Sequence, residues 1–403
     1  MFEYFISLLS SDAFLAKLLK DIGLSDAATG LLSSVISFAF LFKLLSIPLA
    51  GKLKSVKKPV IILDTLSQLL FAGLYAIPFI PLSTGGKAAA VTVLLIAAYL
   101  TLYLNFPIAY KWGNSFVSPE KRGDFSAVKE MISLAAGIVF TLLAGAVTDS
   151  FENRGDLHGS FVFLGTAMTV ISIFNLGSFA AIKDTALSES SAEMNLREIF
   201  TATLGNRNCR NAVILTSVSE FSRYITIGFM GTYKTADLGF SVGQIQLINT
   251  AANVGRFIIS KPFGCYSDSH SYSDGYFLGN ILTLLSFITG MFTTAKTRLL
   301  IIPFTMLYQM SFAGTNQNNF NMMYSFSDSS YILPAMAVND SIRGISGFAG
   351  SLIGGKILSS VQKGNRTGGT AGQQLLCGIS AVFTAVSLIF NKIVVSKQRE
   401  EKK

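Results

Sequence analysis

The sequence predicts an all-α membrane protein made of two six-helix bundles that are related by pseudo-twofold symmetry. The first observation behind this prediction is composition: 50% of the 403 residues are hydrophobic and only 14% are charged. In soluble domains about a quarter of the residues are charged. We therefore expect much of this protein's surface to face a lipid bilayer rather than water. The second observation is an internal repeat, and the third is a series of apolar runs of bilayer-spanning length.

The repeat has an offset of a little over two hundred residues, far longer than the period of a solenoid protein. A duplicated set of membrane helices is the plan of many secondary transporters, which place the solute site where the halves meet. The matched positions are Asp21–Ser25 with Asp237–Ser241, Pro48 with Pro262, Gly137 with Gly347, and Gly145 with Gly355.

Twelve apolar runs approach the 20 or so residues that a membrane-spanning helix needs. The first run is marginal because it contains Asp12 and Lys17. The predicted spans are residues 2–20, 27–50, 60–82, 88–110, 125–149, 159–182, 211–236, 241–264, 275–296, 299–322, 334–361 and 373–396.

These spans divide the chain into an N-terminal bundle (1–183), a linker (184–210), a C-terminal bundle (211–396) and a tail (397–403). Leu196, Ile199, Phe200 and Leu204 have helical spacing, which predicts a helix in the linker, either on the membrane surface or in a soluble loop. Basic residues are more frequent in the linker, the tail and the loops on the same side. The sequence therefore predicts a multi-pass protein of the cell membrane with both termini in the cytoplasm.

Several functional classes lack support in the sequence. Cys209, Cys265 and Cys377 are far apart, and His158 and His270 fall in loops, so metal sites and disulfide scaffolds are not expected. No nucleophile–base pair or phosphate-binding glycine loop stands out, so no enzyme activity and no cofactor are predicted. The net charge of +9 lies mainly in short loops, where basic residues face lipid headgroups, and nucleic acid is not an expected partner.

Two loops carry a glycine-based motif that resembles the major facilitator superfamily. The loop after the second span reads Gly51 through Lys58, with a glycine and a basic end, but Ser55 stands where the family has an aspartate. The repeat-equivalent loop reads Gly264 through Asp268 and keeps the glycine and the aspartate without the basic end. The resemblance extends over the whole chain in its plan of two six-helix halves.

That resemblance implies a set of gating residues: Gly51, Gly264, Asp268 and Arg122. In the family, the loop aspartate accepts hydrogen bonds at the start of a neighbouring helix and holds the inner side closed. Applied to this chain, Asp268 would face the start of the fifth span, with Arg122 as its charged partner. The alternative is a solvated turn at Asp268.

Glu220 and Arg223 are charged residues in the middle of the seventh span, where insertion costs roughly 2.5–3.5 kcal/mol for each charge. Their i, i+3 spacing places them on one face of a helix. They could bind solute or a coupling proton, or they could neutralise each other as a structural pair.

Other polar residues within the spans are weaker candidates for substrate binding or coupling. Asp12 is either a coupling carboxylate or a partner for Lys17. Gln309 and Asn316 share a face of the amide-rich tenth span and suit a hydroxylated or amide-bearing solute, or else they join helices. Asn105, in the fourth span, is a similar candidate for solute binding. Near the inner span ends, gate salt bridges or snorkelling are expected for Lys43, Asp64, Lys129, Glu130, Arg256, Asp340 and Arg343.

Taken together, these patterns predict a transporter of a small organic solute, secondary active or facilitative, that works by alternating access. Protons or another ion are the possible coupling partners. Efflux of amphipathic compounds is an alternative, although Thr141-Leu142 stands where the family's drug–proton antiporters have Gly-Pro. A non-transporting membrane sensor or scaffold is an alternative from a different class.

Overall fold

The computed structural model describes residues 2–46, 55–114, 116, 122–184, 196–327, 332–364 and 368–398. Within them the chain is helical and contains no strand, which confirms the predicted all-α fold class. The α-helices are α1 (Phe2–Leu9), α2 (Asp12–Asp21), α3 (Asp26–Ser33), α4 (Val35–Ala39), α5 (Lys57–Gly73), α6 (Thr84–Asn114), α7 (Arg122–Asn153), α8 (Leu157–Ala181), α9 (Leu196–Gly205), α10 (Arg207–Ile227), α11 (Met230–Thr232), α12 (Val242–Ser269), α13 (Tyr272–Met291), α14 (Ile301–Phe326), α15 (Ile332–Gly364) and α16 (Gly368–Ile393).

Shorter helical segments extend several of these elements. Residues 42–46 are helical, and 3-10 turns cover Leu74–Phe79, Arg298–Leu300 and Val395–Lys397. A π-helical turn at Tyr233–Asp237 continues α11.

Helices occupy all twelve predicted intervals in the described chain, but the first, second and seventh intervals are not single helices. The seventh breaks at Gly228 and Phe229, between α10 and α11. The first breaks at Ser10 and Ser11, between α1 and α2. The second breaks at Ser34, between α3 and α4. Serine hydroxyls at these points bond to the carbonyl three or four residues back, a bond that competes with the regular helix and often bends it.

Six of the described helices are long and apolar enough to cross a bilayer by length and composition. Among the others, α10 is long enough, but it contains many polar side chains, most of them buried, which lower its apolar content. The six segments are Asp26–Ser46, Lys57–Phe79, Thr84–Phe106, Ala135–Asn153, Leu157–Ala181 and Gly369–Lys397.

The sequence repeat is matched by a repeated turn. Gly23 and Gly239 occupy equivalent places in the two copies of the motif, and their φ angles are +86° and +67°. A glycine in this left-handed conformation commonly ends a helix, because a side chain there would clash with the backbone. The same local sequence therefore ends the preceding helix in the same way in each copy.

Side-chain caps fix the starts of three helices. Asn206 accepts hydrogen bonds from the amides of Asn208 and Cys209 at the start of α10. Asp156 and Ser271 do the same at the starts of α8 and α13. Each such cap contributes about 1 kcal/mol and sets the residue at which the helix begins.

The chain forms two compact units that interleave along the sequence. The first unit comprises Met1–Ser25, Phe42–Met194 and Ser241–Gln246, and the second comprises Asp26–Leu41, Asn195–Phe240 and Leu247–Lys403. The predicted bundle boundaries at 183 and 211 stay a prediction.

In the first unit, α5 packs against both α6 and α8. Val56, Val60, Ile108 and Trp112 form a buried apolar cluster at this junction. Close to it, α5 buries Asp64 and Gln68, each 1% exposed.

The segment Ser241–Gln246 joins the first unit through α7. Gly145 lies so close to Gly243 that a Cβ on Gly145 would be 3.0 Å from the Gly243 Cα. Asp149, one turn further along α7, accepts hydrogen bonds from the Ser241 Oγ (2.6 Å) and the Gly243 amide (3.0 Å). A carboxylate at the first turn of a helix is favourable, because the amides there have no partner within the helix.

In the second unit, α10 packs along α15 and α16, and α13 packs along α14 and α16. Helices α3 and α4 also pack on α15. Glycines in α15 allow this close packing: a Cβ on Gly350 would be 2.5 Å from the Phe221 carbonyl oxygen, and one on Gly354 would be 2.3 Å from that of Ile225. These glycines therefore serve close helix contact.

Candidate functional site

A buried chain of charges joins α10 to α15 inside the second unit. Glu220 Oε2 lies 3.5 Å from Arg343 Nη2 and 4.0 Å from Arg223 Nη1. Arg343 Nη1 also lies 3.4 Å from Asp340 Oδ1. Glu220 is 7% exposed and Arg223 is 4% exposed, so solvent screens these interactions weakly. The predicted Glu220–Arg223 pair is present, and a second arginine shares the same glutamate.

Arg343 is buried against α10. A gate salt bridge or snorkelling to the surface was expected for it; its side chain is 14% exposed and contacts Glu220, so it does not snorkel, and its place in a gate stays a prediction. The contact arises from the glycine-lined face of α15, which lets that helix run close to α10. A Cβ on Gly347, one turn from Arg343, would be 3.2 Å from the Glu220 Cγ.

Arg223 reaches from α10 to two further helices. Its Nη2 donates to Thr315 Oγ1 of α14 (2.9 Å) and is 3.4 Å from Thr283 Oγ1 of α13. Its guanidinium carbon lies 4.9 Å from the centre of the Phe312 ring, within the range of a cation–π contact. The Arg256 guanidinium carbon lies 5.6 Å from the same ring centre.

One N–H group of Arg223 has no hydrogen-bond acceptor among the described residues. The Nε–H of Arg223 is buried and has no hydrogen-bond partner among the described residues. A buried donor without an acceptor costs about 1–3 kcal/mol, because the group has lost its water. A ligand with a carboxylate or carbonyl oxygen could satisfy this donor.

Hydroxyl and amide groups hold the opposite side of α10. Asn280 of α13 donates to Ser219 (3.1 Å) and to Ser387 of α16 (3.3 Å). Ser222 donates to the Ser380 carbonyl at 2.6 Å. These bonds fix the rotation of α10, so that Glu220 and Arg223 are presented toward α14 and α15.

The amide side chains of α14 fall into two groups. Asn318 is buried and donates to the Gly314 carbonyl (2.7 Å), and Asn319 accepts from Asn339 of α15 (3.0 Å). These two residues join helices or brace their own helix. Gln309 is half-buried and Asn316 is exposed, so the proposed solute-facing pair stays a prediction.

Two further candidates lie in the first unit. Asp12 begins α2 with a φ of +46°, a left-handed backbone that costs a non-glycine residue about 1–2 kcal/mol. Lys17, the partner considered for it, contacts Glu152 of α7. Asn105 is buried, and its Nδ2 lies 3.4 Å from Asp64 Oδ1. Asp64, for which a gate salt bridge or snorkelling was expected, is 1% exposed, so its carboxylate does not reach the surface.

The predicted gate is only partly described. Gly51 and the side chain of Arg122 lie outside the described residues, so their pairing with Asp268 stays a prediction. Gly264 and Asp268 do not form a loop, because α12 continues to Ser269 and includes both. The Asp268 side chain is exposed.

Sequence reasoning missed the residues that depend on pairing between helices. Thr283, Thr315 and Phe312 are ordinary residues in apolar helices, and no local signal marks them as contacts of Arg223. Asn175 of α8 also donates to Asp64. It could have been found, because it is an amide in the apolar sixth span, as Asn105 is in the fourth. Across the described residues, no group of three or more His, Cys, Asp or Glu side chains could hold a metal ion.

Comparisons with known proteins agree with the fold. Residues 212–403 match the family model of the Major Facilitator Superfamily. Over the whole chain, the crystal structure of a mutant of the nucleoside transporter NupG is similar with a TM-score of 0.74 and 13% sequence identity, covering 96% of this chain and 98% of that one.

Two other solved structures give the same result at low identity. A bacterial homologue of the human lysosomal transporter Spinster has a TM-score of 0.70 and 13% identity, with 98% of this chain and 94% of that one covered. The D-xylose–proton symporter has a TM-score of 0.67 and 14% identity, with 99% and 96% covered. No curated protein sequence matches the chain. At these identities, the structural likeness shows the fold alone.

Proposed function

We propose that this chain, a multi-pass membrane protein with the transporter fold and family match of the Major Facilitator Superfamily, moves a small organic solute by alternating access. The predicted family resemblance is confirmed, and the family is one of transporters rather than enzymes. Solute, direction and coupling are proposals that rest on the polar site of the second unit.

The observation that carries the proposal is the buried Glu220 shared by Arg223 and Arg343. Glu220 lies thirteen residues into α10, about 20 Å along the helix at 1.5 Å per residue, which is near the middle of a bilayer. Buried charges at this depth are costly, and in membrane proteins they commonly mark solute or ion paths.

The chemistry of the site favours a solute that carries a carboxylate or a comparable hydrogen-bond acceptor. Arg223 has an unused Nε–H, and guanidinium groups bind carboxylates through paired hydrogen bonds. Phe312 offers an apolar face beside the same guanidinium. Gln309 and Asn316 would add donors and acceptors for hydroxyl or amide groups on the rest of the solute.

Glu220 is the proposed coupling residue. While it is ionised, it competes with a solute carboxylate for both arginines. A proton on Glu220 removes that competing charge, so the arginines become available to an anionic group. Proton binding and solute binding would then favour each other, which is the requirement for symport.

The basic residues of the linker and tail support a cell-membrane orientation with both termini in the cytoplasm. Drug efflux is less favoured, because Thr141-Leu142 stands where the family's drug–proton antiporters have Gly-Pro. A sensor or scaffold remains the alternative from another class, and transport itself distinguishes it.

The experiment begins with purified protein and a panel of small carboxylates, hydroxylated neutral compounds and amphipathic cations. Compounds that raise the melting temperature are then tested for uptake into proteoliposomes, with protein-free liposomes as control. Saturable uptake of a carboxylate or polar compound is expected. Uptake confined to amphipathic cations would support efflux chemistry, and binding without flux would support a sensor; either result would contradict the proposal.

A further inference from the structure

Phe312 of α14 is in contact with two arginines from two other helices of the second unit. The guanidinium carbon of Arg223, on α10, lies 4.9 Å from the centre of the Phe312 ring, and that of Arg256, on α12, lies 5.6 Å from it. Both distances are within the range of a cation–π contact. Because both are measured to one point, the two guanidinium carbons can be no further apart than these distances laid end to end. Both guanidiniums are therefore within reach of one small molecule.

The position of the Phe312 ring is fixed by neighbouring aromatic side chains. Phe304, Tyr308 and Phe312 follow each other at intervals of four residues and so share one face of α14. Tyr308 meets Phe312 edge to face, with ring centres 5.1 Å apart and an angle of 80° between the planes. The Tyr308 ring is in turn stacked with that of Phe304, which is 2% exposed. Edge-to-face and offset stacked rings are favoured arrangements, so these contacts hold Phe312 in one orientation.

Glycines allow α12 and α14 to approach each other near Arg256. A Cβ on Gly255 would be 3.3 Å from the Met310 sulfur, which is tighter than most such contacts. A Cβ on Gly314 would be 2.7 Å from the Phe263 ring. These two contacts place the Arg256 side chain beside α14.

The two arginines and the ring can accept a ligand. Phe312 and Arg256 are half-buried, so each keeps some exposed surface. Arg223 is 4% exposed, and its Nε–H is the buried donor that has no hydrogen-bond partner among the described residues. A carboxylate oxygen would satisfy this donor, and guanidinium–carboxylate pairs are among the stronger hydrogen-bonded contacts.

Charge favours a ligand with more than one acidic group. Two guanidiniums near one ring repel each other, because both are positively charged and little water screens charges inside a span. A ligand with one carboxylate can form a paired set of hydrogen bonds with only one of them. A ligand with two carboxylates can pair with both and leave its carbon chain against the Phe312 ring.

We propose that Arg223 and Arg256 bind the two ends of a dicarboxylate whose carbon chain lies on Phe312. This inference rests on the proposed function, because it names the substrate class of the same site. Arg223 binds the carboxylate that any acidic solute carries. Arg256 binds the second carboxylate and so selects a diacid over a monoacid.

The experiment measures binding to the full-length purified protein at neutral pH and one ionic strength. The ligands are butanedioate, pentanedioate and hexanedioate, each compared with its monomethyl ester, which has the same carbon chain and one negative charge less. Affinity is the concentration that gives half of the maximal rise in melting temperature. At least one diacid should bind about tenfold or more tightly than its ester, because the second carboxylate adds charge-assisted hydrogen bonds.

A variant locates the second carboxylate. Arg256→Gln should raise the half-maximal concentration of the preferred diacid by about tenfold or more, with little change for its ester. Lys261→Gln is the matched control, because Lys261 is an exposed basic residue on the same helix. It should keep the wild-type preference for the diacid.

The outcomes separate this inference from the proposed function. Equal binding of diacids and esters by the wild type would overturn the inference, whether or not Arg256→Gln folds, and would leave transport of a carboxylate standing. An equal loss of diacid and ester in Arg256→Gln would also overturn it. If neutral hydroxylated compounds bind and are taken up but no carboxylate is, the inference fails and transport stands. If no polar compound binds or is taken up, both fail.

Discussion

Replacing Gly354 by alanine tests whether close contact between α10 and α15 holds the candidate site together. A Cβ at this position would be 2.3 Å from the Ile225 carbonyl oxygen, whereas ordinary contact begins at 3.4 Å. One helix must therefore move by the difference, 1.1 Å, or the backbone must bend. Such overpacking costs typically about 1–3 kcal/mol.

Alanine also brings a gain, because it is a better helix former than glycine by about 1 kcal/mol. The net effect of Gly354→Ala is then a loss of up to about 2 kcal/mol. Gly177→Ala in α8 is the control, since a Cβ there meets nothing within 4 Å. Gly177→Ala should show only the stabilisation from the higher helix propensity of alanine. The two variants should therefore differ in free energy of unfolding by about 1–3 kcal/mol.

The assay is thermal unfolding of the purified variants in one detergent, followed by light scattering. Gly354→Ala should melt below the wild type, and Gly177→Ala should melt at or above it. If Gly354→Ala melts with or above Gly177→Ala, then α10 and α15 are not in the close contact described, and the placement of Arg343 beside Glu220 loses its support.

Two further predictions concern single side chains. Asp149→Ala removes the acceptor of the Ser241 hydroxyl and the Gly243 amide, and should destabilise the protein by about 1–2 kcal/mol in the same thermal assay; unchanged stability would contradict this capping role. Arg223→Lys removes the planar group that contacts Thr315 and Phe312, and should lower solute uptake by at least about tenfold. Lys392→Gln, whose side chain is 67% exposed, is the control for that loss, and equal uptake by both variants would exclude Arg223 from the solute site.

Much of the fold can be predicted from the sequence, because the length of each apolar run and the residues of the repeated turn can be read directly from short stretches of sequence. The repeated turn at Gly23 and Gly239 and the helix-packing glycines of α15 follow directly from such signals. The break at Ser10 and Ser11 does not, since two serines in an apolar run are common in unbroken helices. The continuation of α12 through Asp268 was missed for a similar reason, because polar residues at a span end also suit a loop.

The candidate site was predictable only in part. Glu220 and Arg223 stand out because charge within an apolar run is costly. The contact of Arg343 with Glu220 was not predicted, because one sequence does not show that α15 packs on α10. The contacts of Asp64 with Asn105 and Asn175 depend on which helices pack together, and one sequence carries no signal for that pairing.

The central claim is that Glu220 takes part in solute binding or coupling, and transport by Glu220→Gln tests it most directly. Uptake of the identified solute is measured in proteoliposomes with and without an inward proton gradient, after melting and elution profiles have established that the variant folds as the wild type does. We expect uptake, or its acceleration by the proton gradient, to be abolished. Wild-type flux with a wild-type response to the gradient would contradict the claim.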